Sequence, residues 1–599
     1  MKRNTKYISR KEADILNFLY RKGYTNQRAM AEEIGYNECF VNRSIARLVK
    51  CNYLDDNIQI TSCARMLFAE NAPRNAIILA AGFGMRMVPI NLTSPKALLE
   101  VKGERMIDRI IKQLHDAGVT DITVVVGFMK DAFEYLIDEY GVELIVNEKY
   151  ATSNNLHSLA LVAERIKNTY IIPCDIWCYE NPFSRTELYS WYMVSDLITD
   201  ESDIRVNRRM ELTRTLSKTP GNVMIGISYL LEPEAKVVRK KLKEMDDEQH
   251  SGDFWETVLF GKDHINVQAK VVRGSSVTEI NTYEQLRDFD SDSNHLKTDA
   301  IHTISSVLKC NENDITNIRV LKKGMTNRSF SFIVAGNKYI MRIPGEGTER
   351  LINRIQEAEV YRTISGLGLC DDPVYINPQN GYKITKFLDG VRVCDCMNII
   401  DLELCMDKLR QFHAMKLKVS HTFDVYRQIE FYESLWNGMP SIYQDYLQTK
   451  NNIFSLQSFV DKIEKEWCLT HIDAVPDNFL FHILPDGSES LQLTDWEYSG
   501  MQDPHVDIAM FCIYSLYNKQ QCDQLIDIYF DGDCDRATRT KIYAYIAMCG
   551  LLWSNWCEYK RTLGVDFGEY SLRQYRYAKD FFVYAKKMIE GGKYKDYDR

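Results

Sequence analysis

The sequence has no run of about 18 apolar residues, the length that a membrane-spanning helix requires. Its first residues, MKRNTKYISRKEAD, turn polar where a signal peptide would need an apolar stretch. The 16 cysteines are scattered, and none belongs to a paired C-x-x-C set of the kind that holds zinc. We therefore expect a cytoplasmic protein with no membrane contact, no disulfide bond and no structural zinc.

The length and the charge indicate several domains rather than one. A chain of 599 residues, 45% hydrophobic and 26% charged, is too long for a single hydrophobic core. The net charge of -9 argues against a protein that binds nucleic acid throughout. Residues 1–72, however, contain 12 Lys and Arg against 8 Asp and Glu. This first segment is therefore basic within an acidic chain.

Residues 1–72 show the pattern of a small α/β domain. Helices are predicted over residues 9–20, 25–34 and 36–49, and an Asp-Asp-Asn turn within residues 53–60 predicts a two-stranded wing. The segment resembles a winged helix-turn-helix domain. This resemblance implies DNA binding through a recognition helix at residues 37–50, with Asn42, Arg43 and Arg47 exposed. Three-helix domains also serve in docking or dimerisation, so a docking role and a homo-oligomer stay open.

The next segment begins with a buried strand that runs into a glycine loop, NAIILAAGFGMR at residues 75–86. Gly82 and Gly84 lack Cβ atoms, so backbone N–H groups can approach a nucleotide there. Arg86 supplies one cation for phosphates, and Lys96 in SPKALL supplies a second.

These motifs resemble the L-A-A-G-x-G-x-R…P-K signature of the sugar-phosphate and alcohol-phosphate nucleotidyltransferases. The resemblance implies a doubly wound α/β domain over residues 73–290, and helices and strands alternate from residue 106 to 147 as such a sheet requires. It also implies that Ala80, Ala81, Gly82 and Gly84 bind the nucleotide and that Arg86 and Lys96 are catalytic.

A magnesium site is expected at the carboxyl end of the strand YIIPCDI, residues 170–176. Ligands of parallel sheets bind at this edge, where Asp175 stands. In the family that this domain resembles, the position holds Mg²⁺. The second metal ligand implied by the resemblance is Asn281, in VTEINT.

Within this superfamily the domain looks most like the bacterial CTP:phosphocholine cytidylyltransferases. The resemblance lies in NEKY and NNLHS (residues 147–150 and 154–158), GISY (226–229) and FWE (254–256). It implies attack of the phosphocholine phosphate on the α-phosphorus of CTP, without a covalent enzyme intermediate. Tyr229 or Trp255 is a candidate to face the quaternary ammonium, although core packing is the alternative for each.

A polar stretch at residues 284–300 precedes a third domain, residues 296–599. LKKGMTNRSFSF and KYIMRIPG predict a strand, a turn and two further strands. They resemble the small lobe of choline kinases and aminoglycoside phosphotransferases, α+β relatives of protein kinases. The resemblance implies that the turn, with Asn327 and Ser329, covers the ATP phosphates. Arg342 then replaces the usual lysine, and Glu357 is its expected partner, with Glu359 as a competing assignment.

The strongest motif of this domain is LTHIDAVPDNFL followed by LQLTDWEY, residues 469–480 and 491–498. An H-x-D-x-x-x-x-N loop followed by a strand that ends in Asp is the catalytic pattern of the kinase superfamily. The pattern implies that Asp473 is the base for an alcohol substrate. Asn478 and Asp495 are the implied Mg²⁺ ligands.

The identity of the alcohol depends on aromatic residues near the C-terminal end. Trp553 and Trp556 lie at i and i+3 on one predicted helix, and Tyr570 follows in FGEY. Choline kinases have the same W-x-x-W order after their D-x-E-Y segment, here ending at Tyr498. The resemblance implies that Tyr498, Trp553 and Trp556 bind the substrate, because a trimethylammonium group is bound best by aromatic faces. Whether the tyrosine at position 570, 575 or 577 completes the cage is open.

The sequence thus predicts a multidomain enzyme that phosphorylates choline with ATP and then transfers CMP from CTP to phosphocholine. Its partners would be choline, phosphocholine, ATP, CTP and possible DNA at residues 1–72. Two alternatives stay open: the same reactions on ethanolamine or a sugar, and a DNA-binding regulator that senses choline or CTP. The sequence has all the expected metal ligands and the expected base. A protein that only senses ligands would not need both, which counts against the regulator.

Overall fold

The computed structural model describes residues 8–92, 94–215, 219–260, 265, 267–321, 327–345, 348, 351–370, 372–483, 489–563, 565 and 567–593. The expected phosphate turn at residues 322–326 lies outside the described residues. The chain divides into two compact units, Met1–Thr303 and Ile304–Arg599. In the part that is described, no helix has both the length and the apolar character needed to span a membrane.

Unit 1 begins with four helices: α1 (Arg10–Lys22), α2 (Gln27–Ile34), α3 (Glu38–Lys50) and α4 (Ser62–Asn71). Ser9 and Glu12 form a capping box at the start of α1. The side chain of Asn37 caps α3 by accepting a hydrogen bond from the Cys39 N–H. Where a two-stranded wing is predicted, the structure has one antiparallel bridge between Leu54 and Ile60.

The remainder of unit 1 is an α/β layer structure. Its helices are α5 (Met106–Asp116), α6 (Tyr135–Tyr140), α7 (Asn155–Leu161), α8 (Glu232–Met245) and α9 (Tyr283–Phe289). Its strands are β1 (Asn75–Ala80), β2 (Glu100–Val101), β3 (Glu104–Arg105), β4 (Ile122–Val126), β5 (Glu143–Val146), β6 (Thr169–Pro173), β7 (Ile176–Cys178), β8 (Trp191–Thr199), β9 (Ile204–Val206), β10 (Leu212–Arg214), β11 (Gly221–Leu230), β12 (Gln268–Val272) and β13 (Val277–Glu279).

The main sheet of unit 1 has the order β12-β8-β11-β6-β1-β4-β5. It is mixed, because β1 is parallel to β4 and β6 whereas β11 is antiparallel to β6 and β8. All five residues of β4 are buried, which explains their uniformly apolar and β-branched character. Since β1 and β6 are parallel neighbours, the glycine loop after β1 and Asp175 after β6 emerge at the same edge.

Unit 2 begins near α10 (Asp299–Leu308), which runs across the point of division, and continues with a small lobe. This lobe contains β14 (Thr316–Val320), β15 (Asn327–Val334), β16 (Asn337–Pro344), α11 (Arg354–Ile364), β17 (Tyr375–Ile376) and β18 (Lys383–Lys386). The strands form an antiparallel sheet of order β14-β15-β16-β18-β17.

The larger lobe of unit 2 is mostly helical. Its helices are α12 (Ile399–Ala414), α13 (Val425–Ser434), α14 (Tyr446–Ser455), α15 (Gln457–Val460), α16 (His505–Tyr514), α17 (Lys519–Tyr529), α18 (Arg536–Thr562) and α19 (Glu569–Lys593). Its short strands are β19 (Val391–Val393), β20 (Cys468–Thr470), β21 (Phe479–Ile483), β22 (Glu489–Leu493) and β23 (Gly500–Gln502).

Helices α18 and α19 pack unusually closely at Gly550. A Cβ atom at this glycine would lie 2.7 Å from Tyr577 Cβ and 2.8 Å from the Gln574 carbonyl oxygen. Both distances are shorter than van der Waals contact. The missing side chain therefore sets the separation of the two helices that carry the C-terminal aromatic residues.

Two candidate active sites

The first candidate site lies at the shared edge of β1 and β6. Lys96 Nζ donates hydrogen bonds to Asp175 Oδ2 at 2.6 Å and to Asn281 Oδ1 at 2.5 Å. Asn281 reaches this position because β13 pairs with β7 and the Ile280 N–H donates to the Asp175 carbonyl at 3.1 Å. The structure thus brings together three residues that the sequence motifs place far apart in the chain.

The glycine loop packs against the same lysine. Gly84 has a φ of +63°, and a Cβ atom there would lie 3.3 Å from Lys96 Cβ. Among the described residues, no atom outside the adjacent residues of the chain lies within 4 Å of a Cβ built on Gly82, and Arg86 is exposed. The loop therefore leaves backbone and one guanidinium accessible beside an ammonium group, an arrangement suited to phosphate oxygens.

A further glycine, which the sequence patterns did not single out, supports this loop. A Cβ atom at Gly127 would lie 2.6 Å from Tyr150 Cβ and 2.8 Å from the Ala81 carbonyl oxygen. Ala80 and Ala81 are themselves buried. Gly127 thus allows the end of β4 to approach the start of the loop.

The residues at this edge fit a magnesium ion. Asp175 Oδ1 is buried and accepts no hydrogen bond from the described residues. One carboxylate and the Asn281 amide oxygen are the hard ligands that Mg²⁺ takes when phosphate and water oxygens complete its shell. Within the described ranges, no cluster of three or more His, Cys, Asp or Glu side chains forms a complete protein-only metal cage.

Tyr229 does not belong to this site, contrary to the expectation from sequence. It pairs with Tyr170 at the beginning of β6, whereas Asp175 follows the end of that strand. The Tyr229 ring is fully buried, and its hydroxyl donates to the Asn71 carbonyl at 2.6 Å. The assignment to the substrate was therefore wrong, because the strand pattern does not reveal which end of the sheet a residue occupies.

Trp255 is also a core residue, so its assignment to the substrate is corrected too. It is 1% exposed and packs against Tyr192, with ring centroids 6.1 Å apart. The neighbouring Glu256, which sequence analysis missed, accepts a hydrogen bond from the Tyr192 hydroxyl at 3.0 Å. Burial raises the pKa of Glu256 to about 7, with a contribution from Asp175. The charge of Asp175, one of the metal-ligand candidates, therefore acts on the carboxyl group of Glu256.

The second candidate site is a cavity of about 710 Å³ in unit 2. It is lined by both expected metal ligands, the expected base and four expected substrate residues: Asn478, Asp495, Asp473, Tyr498, Trp553, Trp556 and Tyr570. Asn327, Ser329 and Arg342, the residues expected at the ATP phosphates, line it as well. One cavity thus contains nearly all the residues that the kinase-like motifs indicate.

The base and the metal-ligand candidates are adjacent. Asn478 Nδ2 donates to the Asp473 carbonyl oxygen at 2.8 Å and to Asp473 Oδ2 at 3.1 Å. Burial, together with the charge of Asp495, raises the pKa of Asp473 to about 8. Such a carboxyl group is poised to take a proton near neutral pH. Asp495 and Asn478 again supply one carboxylate and one amide oxygen, which fits magnesium bound with ATP phosphates.

Asp507 fixes the backbone of this catalytic loop, and no sequence motif singled it out. Its Oδ1 accepts the Ile472 N–H at 2.7 Å, and its Oδ2 accepts the His471 N–H at 3.1 Å. His413 Nε2 lies 2.9 Å from the same carboxylate. Ile472 has a φ of +70°, an unfavourable conformation for a β-branched residue, so these hydrogen bonds hold a strained backbone just before Asp473.

Arg342 pairs with Glu357, whereas Glu359 contacts Ser420 and His421 instead. Burial by itself would raise the pKa of Glu357, but Arg342, Lys383 and Arg354 together outweigh it and lower the pKa to about 2. Arg354, also missed from sequence, lies 2.8 Å from Glu357 Oε2. The ion pair is therefore part of a buried network rather than an isolated contact.

The aromatic residues of the cavity form a contiguous row. Ring centroids are 5.7 Å apart for Tyr498 and Trp553 and 5.4 Å apart for Trp553 and Trp556. Of the three candidate tyrosines, Tyr570 lines the cavity. The Tyr575 hydroxyl donates to Asp445 Oδ1 at 2.7 Å, and the Tyr577 hydroxyl donates to the Tyr517 carbonyl at 2.6 Å.

Two family models and the sequence relatives agree with a two-enzyme composition. Residues 76–189 match the model of the MobA-like NTP transferase domain, and residues 318–531 match the choline/ethanolamine kinase model. The chain is 32% identical over 235 residues to choline-phosphate cytidylyltransferase of Streptococcus pneumoniae, across 36% of this chain and 96% of that protein. It is 31% identical over 244 residues to 2-aminoethylphosphonate cytidylyltransferase of Lancefieldella rimae, across 38% and 96%. The crystal structure of choline kinase LicA from Streptococcus pneumoniae matches at 28% identity with a TM-score of 0.41, across 47% of this chain and 97% of that one.

Proposed function

The chain belongs to the choline-phosphate cytidylyltransferase family and also contains a choline kinase domain, and from this combination we propose that it converts choline to CDP-choline in two steps. Kinase and nucleotidyltransferase activities follow from the family matches themselves. The proposal concerns their substrates and their order. It assigns residues 73–290 to the cytidylyltransferase domain and residues 296–599 to the kinase domain.

In the kinase step, Asp473 accepts the hydroxyl proton of choline while the oxygen attacks the γ-phosphorus of ATP. The products are phosphocholine, ADP and a proton. Asn478 and Asp495 would hold Mg²⁺, which supplies charge neutralisation on the phosphates when bound. Asp507 keeps the loop of Asp473 in position through the two backbone N–H groups described above.

In the cytidylyltransferase step, a phosphocholine oxygen attacks the α-phosphorus of CTP and pyrophosphate leaves. Lys96 and Arg86 compensate the negative charge that develops on the phosphates. The backbone from Ala80 to Gly84 cradles the nucleotide, and Asp175 and Asn281 would hold Mg²⁺. Neither step requires a covalent enzyme intermediate.

The observation that carries the choice of choline is the aromatic row in the cavity of Asp473. A trimethylammonium group donates no strong hydrogen bond, and aromatic faces attract it through their quadrupoles. Had Trp553 and Trp556 lain outside this cavity, ethanolamine or a sugar would have been the better substrate. The row supports choline because the rings of Tyr498, Trp553, Trp556 and Tyr570 border the same space as the base.

A direct test is incubation of the full chain with choline, ATP, CTP and Mg²⁺. We expect phosphocholine to accumulate without CTP, and CDP-choline and pyrophosphate to form when CTP is present. Parallel reactions with ethanolamine, and with 2-aminoethylphosphonate plus CTP, test the alternatives. A higher kcat/KM for either of these than for choline or phosphocholine would contradict the proposal.

For residues 1–72 we propose a winged helix-turn-helix domain that binds duplex DNA through residues 37–50. The exposed side chains of Asn42, Arg43 and Arg47 on α3 support this role. These helices are attached to the rest of unit 1 through α1, where Asp14 accepts a hydrogen bond from Tyr189 at 2.8 Å and Arg21 donates to Ser184 at 2.5 Å. Helix α3 therefore exposes Arg43 and Arg47, of which Arg47 also lies 3.2 Å from Glu12 of α1, while α1 contacts the rest of unit 1.

A further inference from the structure

Arg342, the cation expected at the ATP phosphates, is already surrounded by carboxylates. One terminal nitrogen contacts Glu357, and the other lies 3.4 Å from Asp495 Oδ1 and 3.7 Å from Glu497 Oε2. The side chain is only 7% exposed. These three acidic groups compensate its single positive charge. The electrostatic attraction that Arg342 can offer to a polyphosphate is therefore weak.

A second cation, Lys383, stands beside it. Lys383 on β18 is directly opposite Arg342 on β16 in the antiparallel register, so both side chains point to the same face of the sheet. Both line the cavity that contains Asp495. Sequence analysis did not identify Lys383, because nothing in the local pattern reveals which residue of β18 faces Arg342.

The surroundings of Lys383 leave donors available for a ligand. Its Nζ donates to the Tyr361 hydroxyl at 2.5 Å and lies 3.9 Å from Glu357 Oε1, a carboxylate that two arginines already contact. An ammonium group carries three donors, and one neutral partner uses one of them. Burial and the neighbouring Arg342 charge lower the pKa of Lys383 to about 8, which indicates that its charge is poorly compensated in the free protein.

The direction of the strand places this ammonium at the polar end of the cavity. β18 begins at Lys383, near Arg342 and Asp495, and leads into Phe387 and Leu388. These two residues line the cavity together with other apolar side chains. A nucleotide whose base lies on the apolar wall would extend its phosphates back along the strand toward Lys383.

We propose that Lys383 binds the phosphates of ATP in the kinase site, while Arg342 serves mainly to hold the surrounding carboxylates in place. The inference rests on ATP as the phosphoryl donor of the proposed function. It differs from a purely structural role, in which Lys383 would only anchor Tyr361 and Glu357. The two roles differ in what they predict for ligands with and without phosphates.

The test compares binding of ADP and of adenosine, both with Mg²⁺, to the full chain by calorimetry. Lys383→Gln keeps a hydrogen-bond donor for Tyr361 but removes the charge. We expect ADP binding to weaken roughly 10- to 100-fold, the worth of one or two charge-assisted hydrogen bonds, and adenosine binding to change less than about twofold. Lys383→Arg should stay within about threefold of the wild type for both ligands, since it restores the charge.

Lys338→Gln is the matched control, because Lys338 lies on β16, pairs with Asp389 at 3.3 Å and does not line the cavity. It should leave both affinities unchanged. An equal loss of ADP and adenosine binding in Lys383→Gln, including a loss through misfolding, would overturn the inference in favour of a structural role. Unchanged ADP binding would overturn it as well. A wild-type chain that binds neither ADP nor ATP would contradict ATP as donor, and thus the proposed function itself.

Discussion

In unit 1 the cations of the candidate site are partly exposed, whereas in unit 2 they are buried among carboxylates. The ion pair of Lys96 and Asp175 has side-chain exposures of 11% and 21%. The corresponding values for Arg342 and Glu357 are 7% and 1%. Arg86, the second cation of unit 1, is exposed, whereas Arg354 and Lys383 of unit 2 are buried.

This difference indicates two ways of preparing a site for a nucleoside triphosphate. The site of unit 1 is more accessible and contains fewer fixed charges, so in the proposed function CTP and Mg²⁺ would complete it on binding. The site of unit 2 is organised before the ligand arrives, because its charged residues already hold one another. Preorganised charges lower the reorganisation that a reaction requires, but buried charges destabilise the fold when a partner is removed.

The strongest test of the comparison is whether the two sites work independently. We expect Asp473→Ala to reduce phosphocholine formation by roughly 10²- to 10⁴-fold, the usual contribution of a general base, and to leave turnover of phosphocholine with CTP unchanged. Asp175→Ala should do the reverse. Each variant controls for the folding of the other, and separate assays of both steps provide the measurement. Loss of both activities in one well-folded variant would contradict two separate sites.

A second test concerns the cost of breaking each ion pair. Glu357→Gln leaves two buried arginines without their shared carboxylate, so we expect unit 2 to lose about 3–5 kcal/mol of unfolding free energy. Lys96→Met in unit 1 should lower cytidylyl transfer but destabilise the fold less than Glu357→Gln does, because the side chains of its pair are 11% and 21% exposed. Chemical denaturation of each variant measures both values.

Glu359→Gln is the control for the buried pair, since Glu359 contacts Ser420 and His421 outside the Arg342 network. It should be close to the wild type in stability. If Lys96→Met proved as destabilising as Glu357→Gln, the contrast between an open and a preorganised site would not hold.

A third test of the comparison concerns the binding of the alcohol substrate by the aromatic row of unit 2. Trp553→Ala should raise the KM for choline about thirtyfold, since a buried cation–π contact contributes about 2 kcal/mol, while the KM for ATP and the cytidylyltransferase rate stay nearly unchanged. Steady-state kinetics with each substrate varied in turn provide the measurement. Trp467→Ala, an exposed tryptophan that does not line the cavity, is the control. An unchanged choline KM would argue against the proposed cage.

The smallest expected effect lies in the N-terminal helices. If α3 contacts DNA, Arg43→Ala should remove one phosphate contact and reduce the slope of log K against log salt by about 0.9. Arg65→Ala, on the exposed side of α4, should leave the slope unchanged. Gel-shift titrations at several salt concentrations would measure this. No salt-sensitive binding at all would favour the docking role for residues 1–72.

The sequence was most informative where function requires fixed local spacing. Asp473 and Asn478 stand in one short loop, and Asp495 follows the second of the two strands after that loop, so their proximity follows from the motif. The glycine loop and Lys96 are similarly local. The nucleotidyltransferase-like and kinase-like folds could therefore be predicted, but the strand order of the sheet in unit 1 could not.

Residues that act through long-range packing were missed or misassigned. Lys383 meets Arg342 only through the pairing of β16 with β18, and Asp507 reaches the catalytic loop from α16. Tyr229 and Trp255 carry the right chemistry for a quaternary ammonium, yet their positions in the sheet and core place them elsewhere. Side-chain chemistry alone does not specify at which end of a sheet, or on which side of a core, a residue lies.

The close packing at Gly550 limits the substitutions that this enzyme can accept at that position during evolution. Any single nucleotide change that replaces a glycine codon by another residue adds at least a Cβ atom, and here that atom would collide with α19. Such a change would push apart the helices that carry Trp553 and Trp556 on one side and Tyr570 on the other. This position should therefore tolerate substitution poorly, whereas a substitution of one of the aromatic side chains changes the cavity without forcing the two helices apart.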